Sequence, residues 1–284
     1  MGIRPQDNLW QCGPFALKHA LITLGILADE KTITRLAASR SAYGTDDVQL
    51  GRAARHFNCE LVMIRRHNAD GARSELLRYL RRGIPSLLCI NEWNHWVTVV
   101  KAEGGKFILL DSYDDAVLTI LTWSKLRARW VYHEQDEQDK HYWETLYDLH
   151  PVVPRFRVQS SAKFSVARAR FLRRLENREL SRQWDHYLSD LMAIARPRTI
   201  LSKKVFSLGE FMRRHEHMML DQVDYWHGAI DRQRAYKVLQ NLHFVADTYG
   251  LVIHQEDEKR AIAATTALLT LWAAGTYGAS PVYK

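Results

Sequence analysis

Four short apolar runs follow one another between residues 86 and 121, and they limit the fold more than any other feature of this chain. Ser86-Leu-Leu-Cys-Ile90, His95-Trp-Val-Thr-Val-Val100, Lys106-Phe-Ile-Leu-Leu110 and Val117-Leu-Thr-Ile-Leu121 each have strand length, and turn residues such as Glu103-Gly-Gly105 divide them. Connections this short read as a meander of β-strands. The preceding residues read differently. From Cys12 to Leu24, Phe15, Ala16, Ala20, Leu21 and Leu24 recur at helical spacing, and Gly25 suits the end of that helix. Further helices are expected over 32–40, over 46–57 with Thr45, Asp46 and Asp47 as cap and first-turn acids, and over 72–82 with Gly83-Ile-Pro85 as the stop. Leu61–Ile64 reads as a strand. Helices first and a meander afterwards predict an α+β domain over residues 1–135.

A charged stretch with Pro151, Pro154 and Ser160-Ser161 predicts a linker over 136–165. Residues 166–284 then predict an all-α helical domain. One apolar stripe runs through Leu172, Leu175, Trp184, Leu188, Leu191 and Met192, and a longer one runs from Phe211 to Val245 and ends at Gly250. A last helix is expected over 256–274. Charge divides the same way: residues 1–150 hold 19 Lys and Arg against 19 Asp and Glu, whereas 151–284 hold 21 against 13. The excess positive charge predicts a basic helical domain able to meet an acidic partner or an anionic surface, although aromatic interleaving is too sparse for sequence-specific nucleic-acid binding.

Several function classes are set aside. Met1–Trp10 has no apolar signal-peptide core, and three cysteines do not make an even disulfide framework, so a cytoplasmic location is expected. His215 and His217 lie two apart on a helix and point to different faces, so no metal site is expected among His215, Glu216, His217, Asp221, Asp224 and His227, and no cofactor is expected elsewhere. Residues 261–283 carry no charge, but threonines, glycines and a proline dilute them. A buried helix with a loose tail is expected there, not a membrane span.

Cys12 carries the chemistry. It is followed by Gly13 and Pro14 and opens a helix, where partial positive charge stabilises a thiolate. Cys59 and Cys89 sit inside apolar runs and read as small buried hydrophobes. Gln6, six residues before Cys12, can bring its side-chain amide to an oxyanion alongside the Cys12 backbone N–H. His95 begins a strand and can take the thiol proton. Asp111 follows the next strand, where a hairpin sets it beside His95 to orient the imidazole. Trp10, Trp93 and Trp96 flank these positions, as groove or as core. His19 and His56 read as structural or solvated.

Gln6-x5-Cys12-Gly13-Pro14, His95-Trp-Val-Thr-Val99 and a strand ending in Asp111-Ser112 together resemble the C39-like cysteine peptidases, a branch of the papain-like fold, over residues 1–132. The resemblance implies Cys12 as nucleophile, His95 as base, Asp111 as orienting acid and Gln6 as oxyanion donor, acting on a peptide or protein substrate, after small residues such as Gly. Two features depart from it. Many members form the first domain of an ABC exporter, and neither a transmembrane span nor a nucleotide-binding motif follows here. The family's acid is commonly followed by Pro, and Ser112 stands here, which leaves Asp114 and Asp115 as alternative orienting acids. An acyltransferase, a deamidase or a transglutaminase-like enzyme would use the same residues, and a non-catalytic binding module could share the fold.

Overall fold

The computed structural model describes residues 2–135, 143–199, 201–228 and 230–278. These form two compact units, 1–183 and 184–284.

The first unit opens with a single 3-10 turn, Leu9–Gln11, that runs into α1 (Cys12–Thr23). Every residue of α1 is buried, so the helix has no solvent-exposed face. Helices α2 (Glu30–Leu36) and α3 (Asp47–His56) follow, and Asp29 and Asp46 cap them by accepting backbone N–H bonds; Asp46 and Gln49 complete a capping box. Two short strands, β1 (Cys59–Leu61) and β2 (Ile64–Arg66), take the place of the single strand expected at 61–64. Next come α4 (Ala69–Arg81), β3 (Ser86–Ile90), β4 (His95–Glu103), β5 (Lys106–Leu110), β6 (Leu118–Thr122) and α5 (Trp123–Trp130). The meander of the central strands is present as expected.

The linker expected over 136–165 is corrected. Residues 136–142 lie outside the described residues, but Trp143–Pro154 forms β8, which pairs antiparallel with β1, β2, β3 and the short β7 (Tyr132–Gln135). Its charges and prolines resemble a linker, yet it completes the sheet in the order β1-β8-β3-β4-β5-β6. Pro151 still pairs with Ser86, and the Val152 N–H donates to the Pro85 carbonyl at 2.9 Å. Residues 166–182, expected in the helical domain, form α6 (Val166–Leu172) and α7 (Arg178–Arg182) of this first unit.

Strand residues alternate between two apolar layers. Leu87, Cys89 and Trp96 join Ala16, Leu17, Ala20 and Leu50 from α1 and α3. Leu88, Ile90, Val97 and Val99 join Leu76, Leu80, Leu126 and Trp130 from α4 and α5. Helices therefore cover both faces, which explains why β3 is buried along its whole length and not only at alternate positions.

The second unit is mainly helical, with α8 (Trp184–Ile194), β9 (Arg196–Pro197), β10 (Val205–Ser207), α9 (Leu208–Arg214), α10 (Glu216–His227), α11 (Arg232–Tyr249), β11 (Leu251–His254) and α12 (Glu258–Tyr277). The helical domain expected here is present, and it also carries a small antiparallel sheet, β10-β11-β9. The long apolar stripe is split over α9, α10 and α11, and Gly228 and Gly250 end α10 and α11 in the left-handed conformation. The loose tail expected after α12 falls largely on residues 279–284, outside the described residues. No helix among the described residues is long and apolar enough to cross a membrane.

Charge is redistributed by this division. Residues 155–182 hold nine Arg and Lys and two acids, while 184–284 hold twelve and eleven. The expected basic helical domain is thus nearly neutral, and the positive excess belongs to the first unit.

Candidate active site

Cys12 sits at the first position of α1, where Gln11 provides no side-chain cap and the helix N-terminus is left to the thiol. Close packing holds that turn in place. A Cβ on Gly13 would lie 2.9 Å from Thr45 Cβ and 3.4 Å from Trp96 Cδ1, so only glycine lets the helix start approach the sheet this closely. Trp96 donates its indole N–H to the Thr45 carbonyl at 2.9 Å, tying β4 to the start of α3, and Thr98 donates to the Ala16 carbonyl at 2.6 Å, fixing α1 to β4.

His95 begins β4. The last pair of the β4–β5 ladder is Thr98 with Leu110, so Asp111 falls opposite Val97, and His95 is two residues away on the same face. This diagonal placement brings His95 Nε2 to 2.7 Å from Asp111 Oδ1, with both side chains largely buried. The hairpin expected from the sequence therefore does bring these two residues together. Because Nε2 is occupied by Asp111, Nδ1 is the ring nitrogen left for the Cys12 thiol. Burial opposes the imidazolium charge, but the bonds to Asp111 and Cys12 outweigh it and raise the His95 pKa from 6.5 to about 9. Burial likewise works against the Asp111 carboxylate, and the His95 bond, the Tyr113 N–H and the Arg129 charge hold its pKa below the usual carboxylate value.

The alternative acids are engaged elsewhere. Asp114 takes Arg173 at 2.6 Å and Thr119 at 3.0 Å, and Asp115 takes Arg178 and Arg182 at 3.0 and 3.1 Å. Asp111 is the carboxylate on His95. Gln6 is attached to the same loop: its backbone N–H donates to the Ser112 carbonyl at 2.9 Å, and its Oε1 accepts the Ser112 hydroxyl at 2.6 Å. Its Nε2 donates to the carbonyls of Asn8 and Leu9 at 2.9 and 3.1 Å, which occupies both amide hydrogens in this conformation. Ser112, which departs from the family pattern, thus anchors Gln6.

Among the other cysteines, burial pushes the Cys89 thiol up to about 12 and the Cys59 thiol up to about 11, consistent with packing roles. Trp96 is core. Trp93 is half-buried and stacks on Tyr132 with ring centroids 3.8 Å apart. His19 is fully buried, and burial pushes its pKa down to about 3; His56 is exposed. Among the described residues no group of three His, Cys, Asp or Glu is placed to hold a metal.

Two features had no sequence signal. Arg129, near the end of α5, puts Nη2 3.4 Å from Asp111 Oδ2. Asn91, Glu92 and Trp93, just before His95, all have positive φ, at 54°, 56° and 58°.

In this layout a cysteine starts a packed helix, a histidine begins a strand, and the acid bonded to it lies just past the next strand. The chain is similar to several solved structures. The peptidase domain of Streptococcus ComA, a bi-functional ABC transporter involved in a quorum-sensing pathway, overlaps 54% of this chain and 98% of that one, at 15% identity and TM-score 0.41. A double glycine motif protease from an AMS/PCAT transporter, in complex with its leader peptide, overlaps 52% and 90% at 14% identity and TM-score 0.37. A C39-like peptidase from Bacillus anthracis overlaps 55% and 96% at 14% identity and TM-score 0.39. At these values the overlaps are a likeness and carry no residue role or activity to this chain. No family model matches the chain. No curated protein matches it.

Proposed function

We propose that the first unit is a C39-like cysteine peptidase that hydrolyses a peptide bond with Cys12 as nucleophile, His95 as acid and base, and Asp111 as orienting acid. The observation that carries this reading is the buried His95–Asp111 bond of 2.7 Å, with Cys12 at the start of α1 among the groups that raise the His95 pKa. In the proposed reaction the Cys12 thiolate attacks the carbonyl carbon, and the electron pair moves to oxygen. The Cys12 backbone N–H receives that oxyanion together with Gln6, whose amide exchanges one carbonyl partner, Asn8 or Leu9, for it. The tetrahedral intermediate collapses to a thioester as the C–N bond breaks, and the imidazolium proton passes to the leaving nitrogen. Neutral His95 then takes a proton from water, hydroxide attacks the thioester, and the thiolate leaves with its proton partner restored. Peptide as substrate, including bonds after small residues such as Gly, rests on the sequence resemblance.

Incubation with a mixed peptide library, followed by mass spectrometry of the products, tests the reading. New termini at backbone bonds are expected from the wild type and not from Cys12→Ala. Acyl-exchanged or deamidated peptides without backbone cleavage would overturn hydrolysis, and equal cleavage by Cys12→Ala would overturn the nucleophile.

A further inference from the structure

Arg129 joins two parts of the chain that meet at His95. Helix α5 is fixed by Trp130, which is fully buried and donates its indole N–H to the Asp148 carbonyl at 2.8 Å. The neighbouring residue, Arg129, makes three contacts. Its carbonyl accepts the Asn91 N–H at 2.6 Å, its Nε donates to Asn91 Oδ1 at 3.3 Å, and its Nη2 reaches Asp111 Oδ2 at 3.4 Å.

Both ends of this bracket matter to the imidazole. Asn91 opens the turn of three left-handed residues that delivers His95. Such a run is unfavourable for residues with a Cβ and persists only where its surroundings hold it. Here Asn94 closes the turn onto Ile90 and Asn91, Trp93 stacks on Tyr132, and Arg129 holds Asn91 through backbone and side chain. At the other end, Asp111 uses Oδ1 for His95 and for the Tyr113 N–H, while Oδ2 faces Arg129. A carboxylate this deeply buried needs its second oxygen compensated to stay ionised in one orientation.

We infer, on the peptidase reading above, that Arg129 is a positioning residue: it fixes Asp111 and the turn before His95 in one frame, so that the imidazole stays aligned between Cys12 and the carboxylate. The contacts of Arg129 are to Asp111 and Asn91, and it acts through them. A guanidinium suits this task because its fork reaches two acceptors at once, which a lysine ammonium does as a point charge only.

The test is the rate at which iodoacetamide alkylates Cys12 at pH 6, resolved by peptide mapping, in the full chain. It needs no substrate. Arg129→Gln is expected to slow alkylation by roughly tenfold or less, since both side-chain contacts are at the long end of the hydrogen-bond range. Arg129→Lys is expected to recover part of the loss. In an Asp111→Asn background, Arg129→Gln is expected to cost less than in wild type, because only the side-chain bond to Asn91 is then left to lose. Thermal unfolding of each variant separates the effect from simple destabilisation. A fast wild-type Cys12 with an unchanged Arg129→Gln rate overturns this inference alone, as does a loss in Arg129→Gln that multiplies in the Asp111→Asn background. A wild-type Cys12 no faster than a peptide cysteine overturns the peptidase reading, and this inference falls with it.

Discussion

Replacing Asp111 with Asn removes a charge from the site and changes little in its shape. The rise of the His95 pKa from 6.5 to about 9 amounts to about 3 kcal/mol in favour of the imidazolium, at 1.36 kcal/mol per pH unit, and Asp111 and Cys12 share it. An Asn that turns its oxygen to Nε2 keeps a neutral hydrogen bond worth about 1 kcal/mol. An Asn that turns its NH2 there forces the other tautomer, a fault that costs up to roughly 10⁴-fold in comparable arrangements. Asp111→Asn is therefore expected to slow Cys12 alkylation and peptide cleavage by at least roughly tenfold. The His95 midpoint, followed by NMR of labelled imidazole, is expected to fall from about 9 towards 6.5. The sign for stability follows. A histidine whose folded pKa is raised contributes stability that is complete below pH 6.5 and is lost as pH rises through about 9, so wild type loses stability over that window and Asp111→Asn loses less. If His95 in Asp111→Asn still titrated near 9, Asp111 would not be the group that holds the imidazolium, and the reasoning would fail.

Three further outcomes are expected. Burial opposes the Glu30 carboxylate, but bonds from the fully buried Lys18 at 2.8 Å and from Arg4 at 2.7 Å hold its pKa down to about 2. Its contribution is thus present above pH 4.5 and lost as pH falls towards 2. Glu30→Gln should flatten that acid limb and destabilise the first unit by about 3 kcal/mol at pH 7, read by urea unfolding. Gly13→Ala should cost about 1–3 kcal/mol, because the new Cβ meets Thr45, and should slow Cys12 alkylation; a more stable variant would show that the helix start has room. Asp114→Asn should weaken the tie to Arg173 yet leave the His95 titration unchanged; a lowered midpoint would make Asp114 a second orienting acid.

What the sequence disclosed follows from how local each signal is. Strands β3, β4 and β5 were legible because helices cover both their faces, so they appear as short unbroken apolar runs between turn residues. Cys12, His95 and Asp111 were legible because a start-of-helix position and one hairpin register place them. Strand β8 was not, because its partners are 61 to 95 residues away in β1, β2 and β3, and Glu144, Asp148, Pro151 and Pro154 are ordinary linker residues to any local pattern. The same applies to Arg173, Arg178 and Arg182, which read as a solvated basic run until Asp114 and Asp115 are seen opposite them. Arg129 lies in the run Arg127-Ala-Arg129, where nothing separates a helix-end cation from one aimed at a buried carboxylate. Gln6 was read as an oxyanion donor near Cys12; its bonds to Ser112 and the partners of its amide hydrogens depend on a distant loop and on the 3-10 turn at Leu9–Gln11, which spacing alone does not reveal.

The central claim is that Cys12 takes the acyl group of a peptide. Rapid-quench intact-mass spectrometry of the full chain mixed with a cleaved peptide measures this directly. The account predicts a transient adduct with the mass of the N-terminal fragment, mapped to Cys12, released by hydroxylamine and absent from Cys12→Ala. Cleavage fragments appearing with no adduct on Cys12, and at the same rate from Cys12→Ala, would contradict it.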